Sequence, residues 1–297
     1  MRTPQAIAIM GPTASGKSAV AEVIAERFGC RIVNADAFQV YRGFDIGTGK
    51  PTNRDGYDLI DLLDPHEHYT AGRFVTDAEP LIQGYLAAGS TVVVCGGTGL
   101  YVRALWEGYS AMKPPTPELR EQLKQDLNNL GVAGILDREG LSEADLGYDV
   151  LSNPHRLLRF LEKRRMPNEP RSRSAWLSGH PKIAIDIGRD QLVGRIESRI
   201  RRMLDDGWRD EVRTLLESGV PTSAPAFRAI GYRQIAESLE GRMSFDEAVH
   251  LTLIATRQYA KRQMTWLRRE PRLHWVDGHG NAISVADLVE HIIRGGS

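Results

Sequence analysis

A chain of 297 residues with 41% hydrophobic content is long enough to bury a sizeable core, which excludes a disordered or fibrous protein. The 38 Lys and Arg balance the 38 Asp and Glu, so net charge points to no polyanionic partner and any nucleic-acid site must come from local clustering. The two cysteines, Cys30 and Cys95, are too few for a zinc finger, and no apolar run approaches the roughly 20 residues of a membrane span; a cytoplasmic protein with no membrane partner is expected.

The first apolar run, Ala6 to Met10, is too short for a signal peptide and ends in a glycine loop. Ala19, Val20, Val23 and Ile24 follow at helical spacing, giving strand, loop, helix. A second run, Arg31 to Asp36, ends on a carboxylate, and another, Thr91 to Cys95, ends in Gly96-Gly97-Thr98-Gly99. Continuous apolar strands alternating with helices predict an α/β fold with a parallel sheet, whose ligands gather at the carboxyl ends of the strands. Lys113 to Pro117 breaks this pattern, and a polar, mainly helical segment runs on until Lys182 to Ile187 resumes the strand character. The chain therefore reads as core (1–112), helical insertion (113–174) and core again (175–297), with Pro167 to Ser174 expected to be mobile. Leu192, Ile196, Ile200, Met203 and Leu204 form one helical face, and the capping-box spacing Ser244 to Glu247 opens a helix of about 20 residues through Trp266.

Gly11-Pro12-Thr13-Ala14-Ser15-Gly16-Lys17-Ser18 matches the phosphate-loop pattern G-x-x-x-x-G-K-[ST] in full. Its glycines let backbone N–H groups turn toward phosphate oxygens, the helix start adds partial positive charge, and Lys17 adds a full one. Ser18 can place its hydroxyl on Mg²⁺. An NTPase or kinase would often end a later strand on an acidic residue, whereas Val92-Val93-Val94 runs into Cys95-Gly96-Gly97. That weakens a simple ATPase reading and leaves a small-molecule kinase open, with Asp36 serving substrate or metal.

Further motifs follow in order: NADAFQVYRGFDIGTGKP from Asn34, YTAGRF from Tyr69, GGTGLY from Gly96, AIGYRQ from Ala229 and TRQYAKRQMTW from Thr256. With the phosphate loop, this set resembles the tRNA dimethylallyltransferase (IPP transferase) family across most of the chain. The resemblance implies a P-loop core with a helical insertion, transfer of a dimethylallyl group from dimethylallyl diphosphate to N6 of adenosine-37 beside the anticodon of tRNA, and dependence on Mg²⁺. The chain is expected to act as a monomer.

Under that reading negative charge builds on the diphosphate as the allylic bond breaks, so preorganised donors should surround it. Lys17, the loop amides, Ser18 through Mg²⁺ and, by resemblance, Arg199 supply them; Arg195 and Arg202 beside it are read as a solvated face. Asp36, at a strand end, is the candidate to bind the adenine amino group and accept its proton, with orientation as large a part of its task as proton removal. Thr98 is placed with it on the reacting nucleotide or the diphosphate. The resemblance assigns RNA contacts to Ala37, Phe38 and Gln39, to Arg228, Gly231, Tyr232 and Arg233, and to Arg120, His155, Arg156 and Arg159 of the insertion, although Tyr232 alone would read as core. Arg257, Lys261, Arg262, Arg268 and Arg269 interleave with Tyr259 and Trp266, the local clustering that the balanced charge conceals. Two departures stand out: Ala37 occupies a position usually held by serine, and Asn153 to Met166 follows the family's arginine-containing helix only loosely. A prenyltransferase of free adenine nucleotides and a purely structural RNA-binding module are the other readings.

Overall fold

The computed structural model describes residues 4–108, 110–111, 115–151, 153–166, 171–172 and 175–294. Lys113 and Pro114, and most of the 167–174 segment, lie outside the described residues. The chain divides into two compact units, one formed by 1–108 with 175–297 and the other by 109–174.

In the first unit β1 (Ala6–Met10), α1 (Lys17–Phe28), β2 (Arg31–Asn34), β3 (Tyr57–Asp58), α2 (Ala71–Ala87), β4 (Val92–Gly96) and α3 (Gly99–Trp106) follow one another. β1 and β4 are buried along their whole length, because the sheet is covered on both faces and neither face tolerates a polar alternation. The second unit contains β5 (Ser110–Ala111), α4 (Pro117–Arg138), α5 (Tyr148–Leu151), α6 (Pro154–Arg165) and β6 (Arg171–Ser172). β5 and β6 pair antiparallel. Thr116 caps α4 by accepting from Leu119 N, Pro117 follows at the first helical position, and Gly131 (φ 66°) kinks the helix. Leu123, Ile135, Leu136, Leu157 and Leu161 make this unit's own core.

The first unit resumes with β7 (Lys182–Asp186), α7 (Arg189–Asp205), α8 (Trp208–Glu217), α9 (Tyr232–Leu239), α10 (Phe245–Leu267), β8 (Leu273–Asp277) and α11 (Ala282–Ile293). All six strands of the main sheet run parallel in the order β3-β2-β4-β1-β7-β8. β1 is therefore central, and the loop leaving its carboxyl end lies between the ends of β4 and β7. A buried ionic cluster ties the returning strand to its surroundings: Lys182 Nζ, 2% exposed, donates to Glu107 (2.9 Å) and to the wholly buried Glu270 (2.6 Å). Arg103 Nη2 donates to the second oxygen of Glu270 at 2.8 Å. Among the described residues no helix is long and apolar enough to cross a membrane.

Candidate active site

β1 delivers the chain into Gly11–Gly16, and α1 begins at Lys17 after Gly16 has turned through φ 91°. Gly11 has no room for a side chain, since a Cβ there would lie 2.5 Å from Ser15 Oγ. Lys17 Nζ reaches back to Pro12 O (3.3 Å), and burial holds its pKa below the ordinary 10.5. Beneath it Cys95 Sγ contacts Lys17 O (3.7 Å), and burial pushes this thiol up to about 12, so it stays neutral.

β2 ends beside Asp36. One carboxylate oxygen of Asp36 accepts from Phe38 N (2.9 Å) and Gln39 N (3.4 Å), an Asx-type turn that fixes the side chain. Thr98 Oγ1 accepts from Ala37 N at 3.1 Å and Thr98 N donates to Ala35 O at 3.3 Å. Thr98 thus stitches the β4 turn to the Asp36 turn, and it does not line the cavity described below; its observed work is positioning.

A cavity of about 310 Å³ opens between these turns and α7 and α10. Thr13, Lys17, Ser18, Asp36 and Arg199 supply its polar wall, while Ile196, Ile200 and Met203 from the same face of α7 supply an apolar one. Arg199 is drawn down by burial and partly restored by the charge of Asp36. Its Nη2 donates to Thr48 O (3.4 Å) and packs on Gly49, where a Cβ would lie only 2.1 Å away. Gln39 Nε2 donates to Thr48 O and Gly49 O, at 3.1 and 3.0 Å, so the 48–49 turn is held from two sides.

Two residues the sequence left without a role complete the arrangement. Gln263, on α10, accepts from Thr13 N (2.8 Å) and donates to Gly97 O (2.9 Å), clamping the phosphate loop to the glycine turn after β4. Its motif was visible as TRQYAKRQMTW, but the 250-residue separation from Thr13 hid its partner. Glu211, on α8, accepts from Asp45 N (3.0 Å), Ile46 N (2.7 Å), Gly47 N (3.5 Å) and the Tyr232 hydroxyl (2.6 Å).

That last bond corrects one expectation. Tyr232 is fully buried, tilted against Phe44 (4.6 Å between ring centroids) and edge-to-face with Trp208 (5.6 Å), so its ring packs the core and offers no surface to RNA. Gly231 (φ 96°) lies under Trp208, where a Cβ would sit 2.1 Å from the indole. Arg228 lines the cavity and is exposed, as is Arg233. Phe38 and Gln39 line the cavity; Ala37 does not. Arg195 is not the solvated side chain expected: its guanidinium donates to Ser15 O (3.3 Å) and Gly278 O (3.4 Å).

In the insertion, Arg120 (2.8 Å) and Arg159 (3.0 Å) both grip the wholly buried Glu162; Arg120 remains exposed and Arg159 is half-buried. Arg156 lies exposed on α6, and the side chain of His155 is outside the described residues. On α10, Arg257 pairs with Glu197 and Arg262 lies 5.9 Å from the ring centre of Tyr259, while Trp266 sits under Arg103 (5.0 Å). The basic stripe there is therefore partly neutralised.

A profile of the IPP transferase family matches residues 39–270, and one of isopentenyl transferases matches residues 4–59. The chain belongs to the IPP transferase family, the tRNA dimethylallyltransferases. It is 40% identical to tRNA dimethylallyltransferase 1 of Citrifermentans bemidjiense, over 97% of this chain and 96% of that protein. It is 38% identical to the tRNA dimethylallyltransferase of Geobacter metallireducens, over 95% and 96% respectively. Among solved structures, the tRNA isopentenylpyrophosphate transferase of Bacillus halodurans superposes with a TM-score of 0.72 at 29% identity, covering 98% of this chain and 97% of that one. A eukaryotic dimethylallyltransferase acting on tRNA shares the fold, with a TM-score of 0.74 at 20% identity, over 99% of this chain and 80% of that one.

Proposed function

We propose that this cavity carries out the family's reaction, transferring the dimethylallyl group of dimethylallyl diphosphate to N6 of adenosine-37 in tRNA. The observation that carries the reading is the convergence of Lys17, Ser18, Asp36 and Arg199 on one cavity that is also lined by the apolar Ile196, Ile200 and Met203. The diphosphate lies on the polar side against the loop amides, Lys17 and Arg199, and the five-carbon tail lies against Ile196, Ile200 and Met203. The adenine amino nitrogen attacks the allylic carbon, the carbon–oxygen bond to diphosphate breaks, and the amino group loses one proton to Asp36. Lys17 and Arg199 hold the leaving group's charge as it develops, in a site where burial strengthens each interaction.

Mg²⁺ fits the donor set, since Ser18 and Asp36 offer hard oxygens to the same cavity. Among the described residues no group of three His, Cys, Asp or Glu forms a protein cage, which suits an ion bound chiefly by substrate phosphates and water. When bound it neutralises charge on the diphosphate oxygens. The anticodon arm reaches the cavity past Phe38, Gln39 and Arg228, with the base turned out of its stack, and Arg156 and Arg233 contact phosphates. The chain acts as a monomer in the cytoplasm.

Incubation with dimethylallyl diphosphate, Mg²⁺ and unmodified tRNA adds the mass of one prenyl group to a single adenosine, read by mass spectrometry. Asp36→Asn lowers kcat by about two orders of magnitude with little change in tRNA affinity. A folded preparation that transfers nothing, or full turnover by the variant, would remove the activity or the role of Asp36 respectively.

A further inference from the structure

A second, more open recess of about 500 Å³ lies between the phosphate loop and α7, bordered by Ala14, Gly16, Arg195, Ser198, Arg199 and Arg202. Arg195, Arg199 and Arg202 recur at i, i+4 and i+7, so successive turns of one helix face present three guanidiniums to the same space. Among the described residues no carboxylate borders it. None of the three forms an ion pair with a carboxylate among the described residues; Arg189 and Arg201 of the same helix form none either, but they do not border the recess. In a chain with as many acidic as basic residues, three adjacent uncompensated arginines mark a place where an anion supplies the missing charge.

Two further observations narrow the ligand. Arg195 spends its hydrogen bonds on Ser15 O and Gly278 O, which fixes its charge against the phosphate loop without neutralising it. Arg199 borders both this recess and the central cavity, so an anion leaving one can stay in contact with the same guanidinium while entering the other. Arg202 stands near enough for its charge to depress the ionisation of Arg199.

We propose that the recess is a second oligophosphate site, which takes up the diphosphate product as it leaves the cavity by passing from Lys17 and Arg199 to Arg199, Arg202 and Arg195. Its identification as a product site rests on the prenyl-transfer reading; the anion site itself does not.

The test uses the full chain with its cavity filled by a thio-linked, unreactive analogue of dimethylallyl diphosphate, and titrates in inorganic diphosphate by calorimetry. One further equivalent of diphosphate binds to the wild type. Arg202→Gln weakens that equivalent about tenfold, and Arg202→Lys restores most of it, with analogue affinity unchanged in both. Arg202 is exposed, so loss of fold does not cloud the comparison. In turnover, Arg202→Gln lowers steady-state kcat and relieves inhibition by added diphosphate, while the single-turnover transfer rate stays as in the wild type. Absence of a second equivalent, or one untouched by Arg202→Gln, overturns the proposal. ATP binding there far more tightly than diphosphate overturns the assignment to the leaving group. A second, Arg202-dependent equivalent in a chain that prenylates no tRNA supports the anion site and sinks the functional reading.

Discussion

Glu211→Ala removes one carboxylate on which four donors converge, and the structure sets the size of the effect. The Tyr232 hydroxyl is fully buried, so water cannot replace its acceptor, and an unsatisfied buried donor costs about 1–3 kcal/mol. The amides of Asp45 and Ile46 are only partly buried, and losing their bonds at 3.0 and 2.7 Å costs about 1 kcal/mol each because water recovers part of the loss. The bond from Gly47 N, at 3.5 Å, adds little. The sum is about 3–5 kcal/mol, a large share of the roughly 5–15 kcal/mol that holds a domain folded. The same loop presents Thr48 O to Arg199 and Gln39, so catalysis falls together with stability. Urea unfolding gives the first number, and kcat/KM measured well below the unfolding midpoint gives the second. Glu211→Gln recovers the loop part only: its carbonyl accepts from the Asp45 and Ile46 amides, but its amide donates to the Tyr232 oxygen and leaves the buried hydroxyl proton without an acceptor, so about 1–3 kcal/mol of the loss remains. A loss below about 1 kcal/mol with kcat/KM intact, or a glutamine variant as damaged as the alanine one, would refute this account.

Gln263→Leu strips Thr13 N of its acceptor and Gly97 O of its donor, and it raises the KM for the prenyl donor about tenfold while shifting the unfolding midpoint only slightly; an unchanged KM would show that the loop needs no clamp. Lys17 carries the charge that the diphosphate needs only in its protonated form, and burial lowers its pKa, so donor affinity declines as pH rises through that lowered value, before the ordinary 10.5. Calorimetry of donor-analogue binding across alkaline pH checks this, with Lys17→Arg as the control whose profile stays flat. Lys182→Met leaves buried Glu270 with Arg103 alone and destabilises the fold by about 3 kcal/mol in denaturant unfolding; an unaffected midpoint would mean the cluster is electrostatically redundant.

Features local in sequence were legible. The phosphate loop, its preceding strand and its following helix are contiguous, and Asp36 needed only a short apolar run to be placed at a strand end. Features made by distant segments were hidden: Gln263 meets Thr13 across 250 positions, and Glu211 meets Ile46 across 165. β3 is two residues long, and in β8 only Val276 is buried, so neither edge strand carries the apolar run that announced β1 and β4. Tyr232 shows the opposite difficulty. Placed beside Gly231 and between Arg228 and Arg233 it suited an RNA contact, yet the ring turns into the core formed with Phe44, Trp208 and Phe227. The basic stripe of α10 and the arginines of the insertion were counted correctly as charges, but a sequence does not reveal that Glu197 and Glu162 neutralise some of them.

Cys95 explains why the loop suits a leaving diphosphate better than a transferred phosphoryl group. β4 carries this thiol one residue before its end, against the Lys17 carbonyl, in the place where a nucleotide-hydrolysing enzyme would often carry a metal-binding carboxylate. A carboxylate there would neutralise the Lys17 ammonium and recruit a metal from the protein side. The thiol, held neutral by a pKa of about 12, does neither, so Lys17 keeps its charge for the diphosphate. Asp36 faces the same cavity, and among the described residues it is held by the amides of Phe38 and Gln39 rather than by an ion pair. For the proposed reaction, positive charge is thereby concentrated where the departing oxygens accumulate negative charge; of the two carboxylates in the cavity, Glu22 accepts from the Tyr57 hydroxyl (2.7 Å), and Asp36 is the one proposed to take the proton released by the attacking amine.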